Sequence, residues 1–401
     1  MRLINLGDVN KKLLNIIIGS IGKLIAEIIL YAFSDDIKMN NHPFILGINS
    51  GLGMTLTFIP LIILKCKTKN KDSNDENIII QNTSFQENTT ANNSKLKLKI
   101  IIITLCCILD YIQKLLSFLY SQYIITNLWI FDIVFLAAFS LCILHLKLYS
   151  HQYISSLVMI IFGIILNLIT FEYNIELIYK ILLSFFIECC FNMSIVLAKY
   201  GMNTLFLSPF EITFYEGLFA LIINIISLCI STNVDYVDPP LFIKLAKSCK
   251  YKGKIYLDNF WAYLDVLSGI EILVFIVQMF SRTIFNLFSN IIANDFTPSH
   301  VIFILIVGEI FLLFKDGFEI REIADLFIIL IEIFMLLIFT EIIELNFCKL
   351  QYNTKKNIRE REKLLLEYDQ KSDDSGDIGN DLLFSETLTG SRLSSMSELE
   401  G

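Results

Sequence analysis

Residues 210–231 read FEITFYEGLFALIINIISLCIS, with two charges, Glu211 and Glu216. About 20 mostly apolar residues suffice for a helix to cross the hydrocarbon of a bilayer. The run shows no period-2 alternation, the mark of a barrel strand, so the backbone must satisfy itself as a helix. Working outward, similar runs lie at 13–34, 43–64, 99–120, 123–145, 152–171, 177–198, 261–284, 298–315 and 322–346. The expected fold class is therefore an all-α integral membrane protein with about ten transmembrane helices.

Composition agrees. The chain has 401 residues, of which 55% are hydrophobic and 18% charged, against roughly 25% charged in a soluble protein. Mean hydropathy is +0.62. A soluble enzyme and a disordered chain are excluded. The net charge of -8 leaves no global basic surface for nucleic acid. Six of the 9 cysteines (Cys106, Cys107, Cys142, Cys189, Cys190, Cys229) sit in apolar runs, where a thiol behaves as a small hydrophobe. None has a metal-type Cys-x-x-Cys spacing.

The first run follows Arg2, Lys11 and Lys12 but carries Lys23 and Glu27 and lacks a small-x-small site before Ser34. It reads as a retained span, not a cleaved leader. The excess of Lys and Arg in the loop after span 2 and at the start of the tail (Lys349, Lys355, Lys356, Arg359, Arg361) puts both termini in the cytosol. The loop 232–260, with five lysines, disagrees and is outvoted. The polar segment 66–96 is expected to be a disordered cytosolic loop, its sequons at Asn82, Asn88 and Asn92 unmodified. The tail, 347–401, is polar, Ser-rich and expected to be disordered. Within it Glu360, Leu364 and Leu365 match an acidic dileucine sorting signal, which implies a clathrin adaptor as partner.

Charge in hydrocarbon costs a few kcal/mol or more, about 3 on insertion scales. Lys23 with Glu27, and Asp110 with Lys114, are spaced i,i+4 on one helix face, where each pair partly neutralises itself. Asp132, Glu188, Glu216 and Glu271 have no basic residue within a turn; Glu309 and Glu332 lie closer to predicted span ends. The interior is net acidic. Such acids either hold protons, face a wet cavity that attracts cations, or reach the headgroups from helix ends. The substrate or proton candidates are Asp110, Glu216, Asp132, Glu188, Glu271, Lys114, Lys23 and Glu27.

No Ser/His/Asp order, P-loop or dinucleotide fingerprint is present. The 4 histidines (His42, His145, His151, His300) fall at span ends. An enzyme, a metal centre and an organic cofactor are not expected. Gly47 and Gly51, extended by Gly53, form a small-xxx-small face in span 2, a sign of close helix approach.

The order of landmarks resembles the drug/metabolite transporter superfamily, and within it solute carrier family 35 subfamily F. The matching residues are His42-Pro43-Phe44, Cys106-Cys107-Ile108-Leu109-Asp110, Leu146 to Gln152 and, above all, Ser208-Pro209 with Glu216-Gly217-Leu218-Phe219. The resemblance implies two inverted five-helix repeats, 1–172 and 173–346, around a midplane site, with Asp110 and Glu216 best matched to family positions. The family's span 4 often has an Arg-Gly pair where Phe131-Asp132 stands here, and Thr297-Pro298-Ser299-His300 replaces a Thr-Arg stretch. Those missing cations weaken a nucleotide-sugar substrate.

The leading expectation is secondary active transport of a small organic solute, cationic or zwitterionic, across an endolysosomal or vacuolar membrane, with proton coupling and a homodimer as open options. The competing readings are a nucleotide-sugar antiporter of the Golgi or ER, whose phosphates Lys23, Lys114 and Arg282 would contact, and a non-transporting adaptor acting through its tail.

Overall fold

Helix starts in this protein follow serine, asparagine and proline signals. A computed structural model describes residues 6–32, 42–63, 89–120, 131–146, 148–170, 175–235, 248–307, 330–331 and 333–341. All belong to the compact unit Met1–Ile343; Glu344–Gly401 forms a second unit, outside the described residues. The expected sorting residues Glu360, Leu364 and Leu365 therefore lie outside them, as do Glu309, most of the loop 66–96 and the side chains of Glu27 and Glu332.

In chain order the helices are α1 (Leu6–Ala32), α2 (Pro43–Thr55), α3 (Thr89–Leu119), α4 (Asp132–Leu144), α5 (Ser150–Thr170), α6 (Ile175–Leu205), α7 (Pro209–Asn233), α8 (Phe260–Val266) and α9 (Gly269–Asp295). A 3-10 turn, Pro298–Val301, follows. After a short turn, α2 continues helically to Ile63. Among the described residues, five helical segments are long and apolar enough to cross a membrane: Pro43–Ile63, Leu96–Leu119, Ile178–Leu205, Pro209–Asn233 and Gly269–Asp295. The chain is thus a predominantly helical, multi-pass membrane protein.

Two capping boxes set the long helices. At α7 the Ser208 hydroxyl accepts the Glu211 N–H and the Glu211 carboxylate accepts the Ser208 N–H, both at 3.1 Å. Pro209 fills the first turn, where its missing N–H costs nothing. Ser268 and Glu271 repeat the box at α9, at 3.3 and 3.0 Å. This second box corrects the expected span 261–284. Ser268 starts a new helix, so Phe260–Val266 stands alone as α8 and the span runs from Gly269 to Asp295. The expected loop 66–96 also ends early, because α3 begins at Thr89 and its polar first turns precede the apolar stretch. The loop 232–260 holds a hairpin, β1 (Cys249–Tyr251) against β2 (Lys254–Tyr256), antiparallel with Tyr251 opposite Lys254. Its two-residue turn has positive φ at Lys252 (48°) and Gly253 (79°), the combination a type I′ turn requires.

Contacts fix helix directions. The α2–α7 pair is antiparallel: Gly47 meets Asn224, Gly51 meets Gly217 and Leu221, and Thr57 donates to the Phe210 carbonyl at 3.4 Å. Helix α9 runs parallel to α2, because Asn49 donates to the Phe275 carbonyl while Gly53 packs on Met279 and Thr283. Helix α1 is antiparallel to α9, from Asn15 beside Asp295 to Gly22 against Ile284. Helix α3 is antiparallel to α6, with Cys106 against the Ser194 carbonyl and Ile102 against Gly201. It runs parallel to α7, from Cys107 near Glu216 to Tyr111 edge-on to Phe219. So α1, α3 and α7 point one way and α2, α6 and α9 the other.

The largest buried apolar cluster joins Cys106, Ile133, Leu136, Val196, Ala198, Ile292 and Ile304. Exposed rows such as Leu157, Ile161 and Ile164 on α5, or Ile222, Ile226 and Ile230 on α7, form the apolar outer face that lipid would cover.

Candidate solute site

Three of the expected charged residues converge where α2, α3, α7 and α9 meet. Lys114 and Asp110 form an ion pair at 2.7 Å one turn apart on α3. Glu216 of α7 interacts electrostatically with both. Asp110 and Glu216 are buried, at 7% and 6% exposure. With all three ionised the group carries one net negative charge, which in apolar surroundings calls for a proton or a cation.

The neighbours hold this group from outside. Asn290 of α9 donates to Glu216 at 3.4 Å and to the Thr213 hydroxyl at 3.0 Å. The Lys114 ammonium touches the Met54 sulfur of α2 at 3.4 Å. Asn49 reaches Gln278 at 3.4 Å. A gap with room for about one water lies among Gly47, Ser50, Tyr111, Lys114, Phe118 and Asn224. Ser50 Oγ, in its lining, has no hydrogen-bond partner, and neither has Asn49 Oδ1 on the side towards α9. The site is closed by the tight crossing of Gly51 and Gly217, which leaves no space for a Cβ.

Asp132 and Glu188 do not join this group. Asp132 opens α4, and Asn192 of α6 donates to it at 2.7 Å. Glu188, one turn before Asn192, interacts with Asp132 and with the charge of Lys23. Lys23 also lies 5.3 Å above the Phe285 ring centre, and Arg282 lies 4.6 Å over Phe118. Glu271 sits in the first turn of α9, where its carboxylate closes the capping box instead of facing the midspan group.

A third cluster lies in the hairpin loop. His42, Cys249 and Asp258, all buried, bring potential metal-ligating atoms within 4.8 Å of one another. Asp258 Oδ1 accepts from His42 Nδ1 at 2.6 Å and from the Asn259 N–H at 2.8 Å. Its Oδ2 accepts the Phe44 and Ile45 N–H groups at 2.8 and 3.2 Å. A carboxylate offers about four acceptor sites, and all four are used. The Cys249 thiol is pushed up to about 12 by burial and by the Asp258 charge, whereas a metal needs the thiolate. The donor set fits a cap better than a metal: Asp258 caps α2 in place of His42, whose own side chain makes no cap. Nearby on the surface, Asp235 pairs with Lys254 at 2.6 Å, and that ammonium lowers the carboxyl from its usual range.

Asn290, Thr213, Asn192 and Asp258 escape a reading based on unpaired charge inside apolar runs. For the first three the signal is polarity alone, since an amide or hydroxyl buried in an apolar helix also demands a partner; Asp258 is charged but lies in the loop before α8. No protein-family model matches this chain, and no curated protein matches it.

Proposed function

We propose that the protein is a secondary transporter that moves a small cationic or zwitterionic organic solute across an endomembrane by alternating access. The observation that carries this reading is the buried Asp110–Lys114–Glu216 group at the crossing of four helices. Its carboxylates receive the solute cation, and Lys114 receives an anionic end. Glu216 is the main contact, since Asp110 already holds Lys114 at 2.7 Å. The unpartnered Ser50 oxygen offers a further hydrogen bond to a solute ammonium. The sorting signal at Glu360, Leu364 and Leu365 favours an endolysosomal or vacuolar membrane with cytosolic termini.

Two further observations support inverted five-helix repeats. With α1 to α7 as spans 1 to 7 and α9 as span 8, exchange of span n with n+5 turns the 1–8 contact into 6–3 and the 2–8 contact into 7–3. It turns the 2–7 contact into itself. All of these contacts occur, and each exchanged pair keeps its parallel or antiparallel sense. The segments Pro43-Phe44 to Gly51-Leu52 and Pro209-Phe210 to Gly217-Leu218 also match, each glycine eight residues after its proline.

The test is a melting curve of the purified protein against polyamines, basic amino acids, short cationic peptides, nucleoside monophosphates and nucleotide sugars, at pH 5 and pH 7.5. A ligand at about 100 times its dissociation constant stabilises the folded state by about 2.7 kcal/mol. Stabilisation by a cationic solute that disappears in Glu216→Gln supports the reading. Stabilisation by nucleotide sugars alone, or a cation effect that Glu216→Gln leaves intact, refutes the solute class or the residue respectively.

A further inference from the structure

We infer that the gap bordered by Ser50, Lys114 and Asn224 is a one-oxygen binding site: it takes a water in the resting protein, and a carboxylate oxygen of a zwitterionic solute replaces that water. The observation that carries this is Ser50. It is 1% exposed, it lines the gap, and its Oγ has no hydrogen-bond partner. A serine within a helix ordinarily turns back onto a carbonyl of the preceding turn. Ser117, Ser155, Ser194, Ser281 and Ser289 do so, at 2.8–3.1 Å. Ser50 does not, although residues 46 and 47 of its own helix carry the same carbonyls.

Two further groups turn to the same space. A buried water needs room for about one molecule and about 2–4 polar partners. The Lys114 ammonium has three hydrogens. Asp110 takes one at 2.7 Å and the Met54 sulfur a second at 3.4 Å, which leaves the third for the gap that Lys114 lines. Asn224 commits one Nδ2 hydrogen to the Ala220 carbonyl at 2.7 Å. Its Oδ1 is turned to Gly47, which has no side chain to donate. A water therefore accepts from Lys114 and donates to Asn224 Oδ1 and Ser50 Oγ, so that one molecule joins α3, α7 and α2.

The seating of a solute oxygen rests on the transport reading; the water does not. Helices α3 and α7 run parallel, with Lys114 and Phe118 one and two turns after Asp110, and Ala220 and Asn224 one and two turns after Glu216. The gap thus begins one turn, about 6 Å, beyond the two carboxylates along both helices. A solute whose ammonium meets Glu216 reaches it with a second group about one turn away. If that group is a carboxylate, the Lys114 N–H and the Ser50 O–H both donate to it, as charge-assisted bonds. The Ser50 lone pairs stay open to the ammonium. A polyamine brings a second cation against Lys114 instead, and like charges meet.

The test compares wild type and Ser50→Ala, both full-length in detergent, by thermal loss of the monodisperse peak on size exclusion. In a dry gap the hydroxyl is a buried, unpaired group, and its removal leaves the melting temperature unchanged or raises it. With a water bound, its removal takes a partner from that water, and the melting temperature falls. The expected result is the fall; an equal or higher value overturns the water site. Each protein is then melted with lysine and with 1,5-diaminopentane, the same chain without the carboxylate. Lysine should raise the wild-type melting temperature more than the diamine does, and that excess should vanish in Ser50→Ala. Equal shifts, or a larger shift from the diamine, overturn the carboxylate seat. If no solute of any class shifts the wild type while Ser50→Ala still melts lower, the water site stands and the transport reading falls. If Ser50→Ala fails to elute as a single species, Ser50→Cys, whose thiol is only a weak donor, takes its place with the same outcomes.

Discussion

Gly217→Ala is the sharpest probe of the helix crossing that encloses the candidate solute site. A Cβ at Gly217 would stand 2.5 Å from Met54 Cβ and 2.9 Å from both the Met54 carbonyl carbon and the Thr55 nitrogen. Ordinary contact begins at 3.4 Å, so α2 and α7 must separate by roughly 1 Å, enough to forfeit a quarter to a half of each dispersion contact across the seam. Two of the three obstacles are backbone, which moves only if the helix axis moves, and Met54 is fully buried. Overpacking costs about 1–3 kcal/mol, and this site belongs at the upper end. Restricting the unfolded chain returns about 0.4–1 kcal/mol. The net loss is about 2 kcal/mol, which at about 2.1 cal/mol/K per residue lowers the melting temperature of a chain this long by about 2–3 °C. Gly201→Ala is the control, because its Cβ would meet only the tip of Leu207, at 3.0 Å, and Ile102 at 3.5 Å. It should melt at or above the wild-type temperature. Gly51→Ala, facing the Leu221 nitrogen at 2.8 Å and the Gly217 carbonyl at 3.0 Å, should resemble Gly217→Ala. The double variant should lose less than the sum, since one separation relieves both. The assay is thermal loss of the monodisperse peak on size exclusion. If Gly217→Ala melts like Gly201→Ala, the crossing is not as tight as these distances require and the argument fails.

Three other outcomes are expected. Asp258→Ala strips the acceptor from the Phe44 and Ile45 N–H groups and from His42; it should destabilise by about 1–2 kcal/mol, read by the same melting assay, and no change would refute the cap. Cys249 should resist alkylation at pH 8 until the protein unfolds. Its thiol rises from 9.0 to about 12 on folding, so the unfolded chain releases its proton first and stability should fall as pH rises from about 9 towards 12; a Cys249→Ser variant with the same alkaline slope would remove that assignment. Leu364→Ala with Leu365→Ala should move the protein from an endolysosomal membrane to the cell surface while leaving the ligand-dependent melting shift intact, as fluorescence imaging and the ligand panel would show; a lost shift would implicate the tail in function, as the adaptor reading requires.

Helix existence was legible because lipid imposes one rule on the whole length of a span: apolar side chains and an internally bonded backbone. The run 210–231 therefore announces α7 almost to its ends. Boundaries were less legible where polar chemistry sets them. The start of α9 depends on the Ser268–Glu271 box, a pair that local hydropathy averages away, so the apolar α8 is absorbed into the predicted span. The Asp110–Lys114 pair could be read from its i,i+4 spacing because both partners share one helix. Glu216 meeting Asn290, and Asp132 meeting Glu188 and Asn192, could not, since those partners lie 74, 56 and 60 residues apart (290 − 216, 188 − 132, 192 − 132).

The proposed internal repeat is the more instructive case. The two segments that support it share only Pro, Phe, Gly and Leu at matching offsets, and physics explains why so little would persist. Proline at the first turn and glycine at the crossing are set by backbone geometry, which both copies of a repeat must reproduce. The positions between them face different neighbours. Asn49 reaches Gln278 and Ser50 borders the water-sized gap, while Tyr215 and Glu216 at the matching offsets face outward and towards Asp110 respectively. A substrate site built across a pseudo-twofold axis has no reason to be symmetric, because the solute is not. On the transport reading, the residues that carry function are the ones on which two copies must diverge, and backbone-determined residues are the ones that stay alike. The Gly51–Gly217 contact then marks the axis, and Glu216 beside it marks the departure from symmetry where the solute binds.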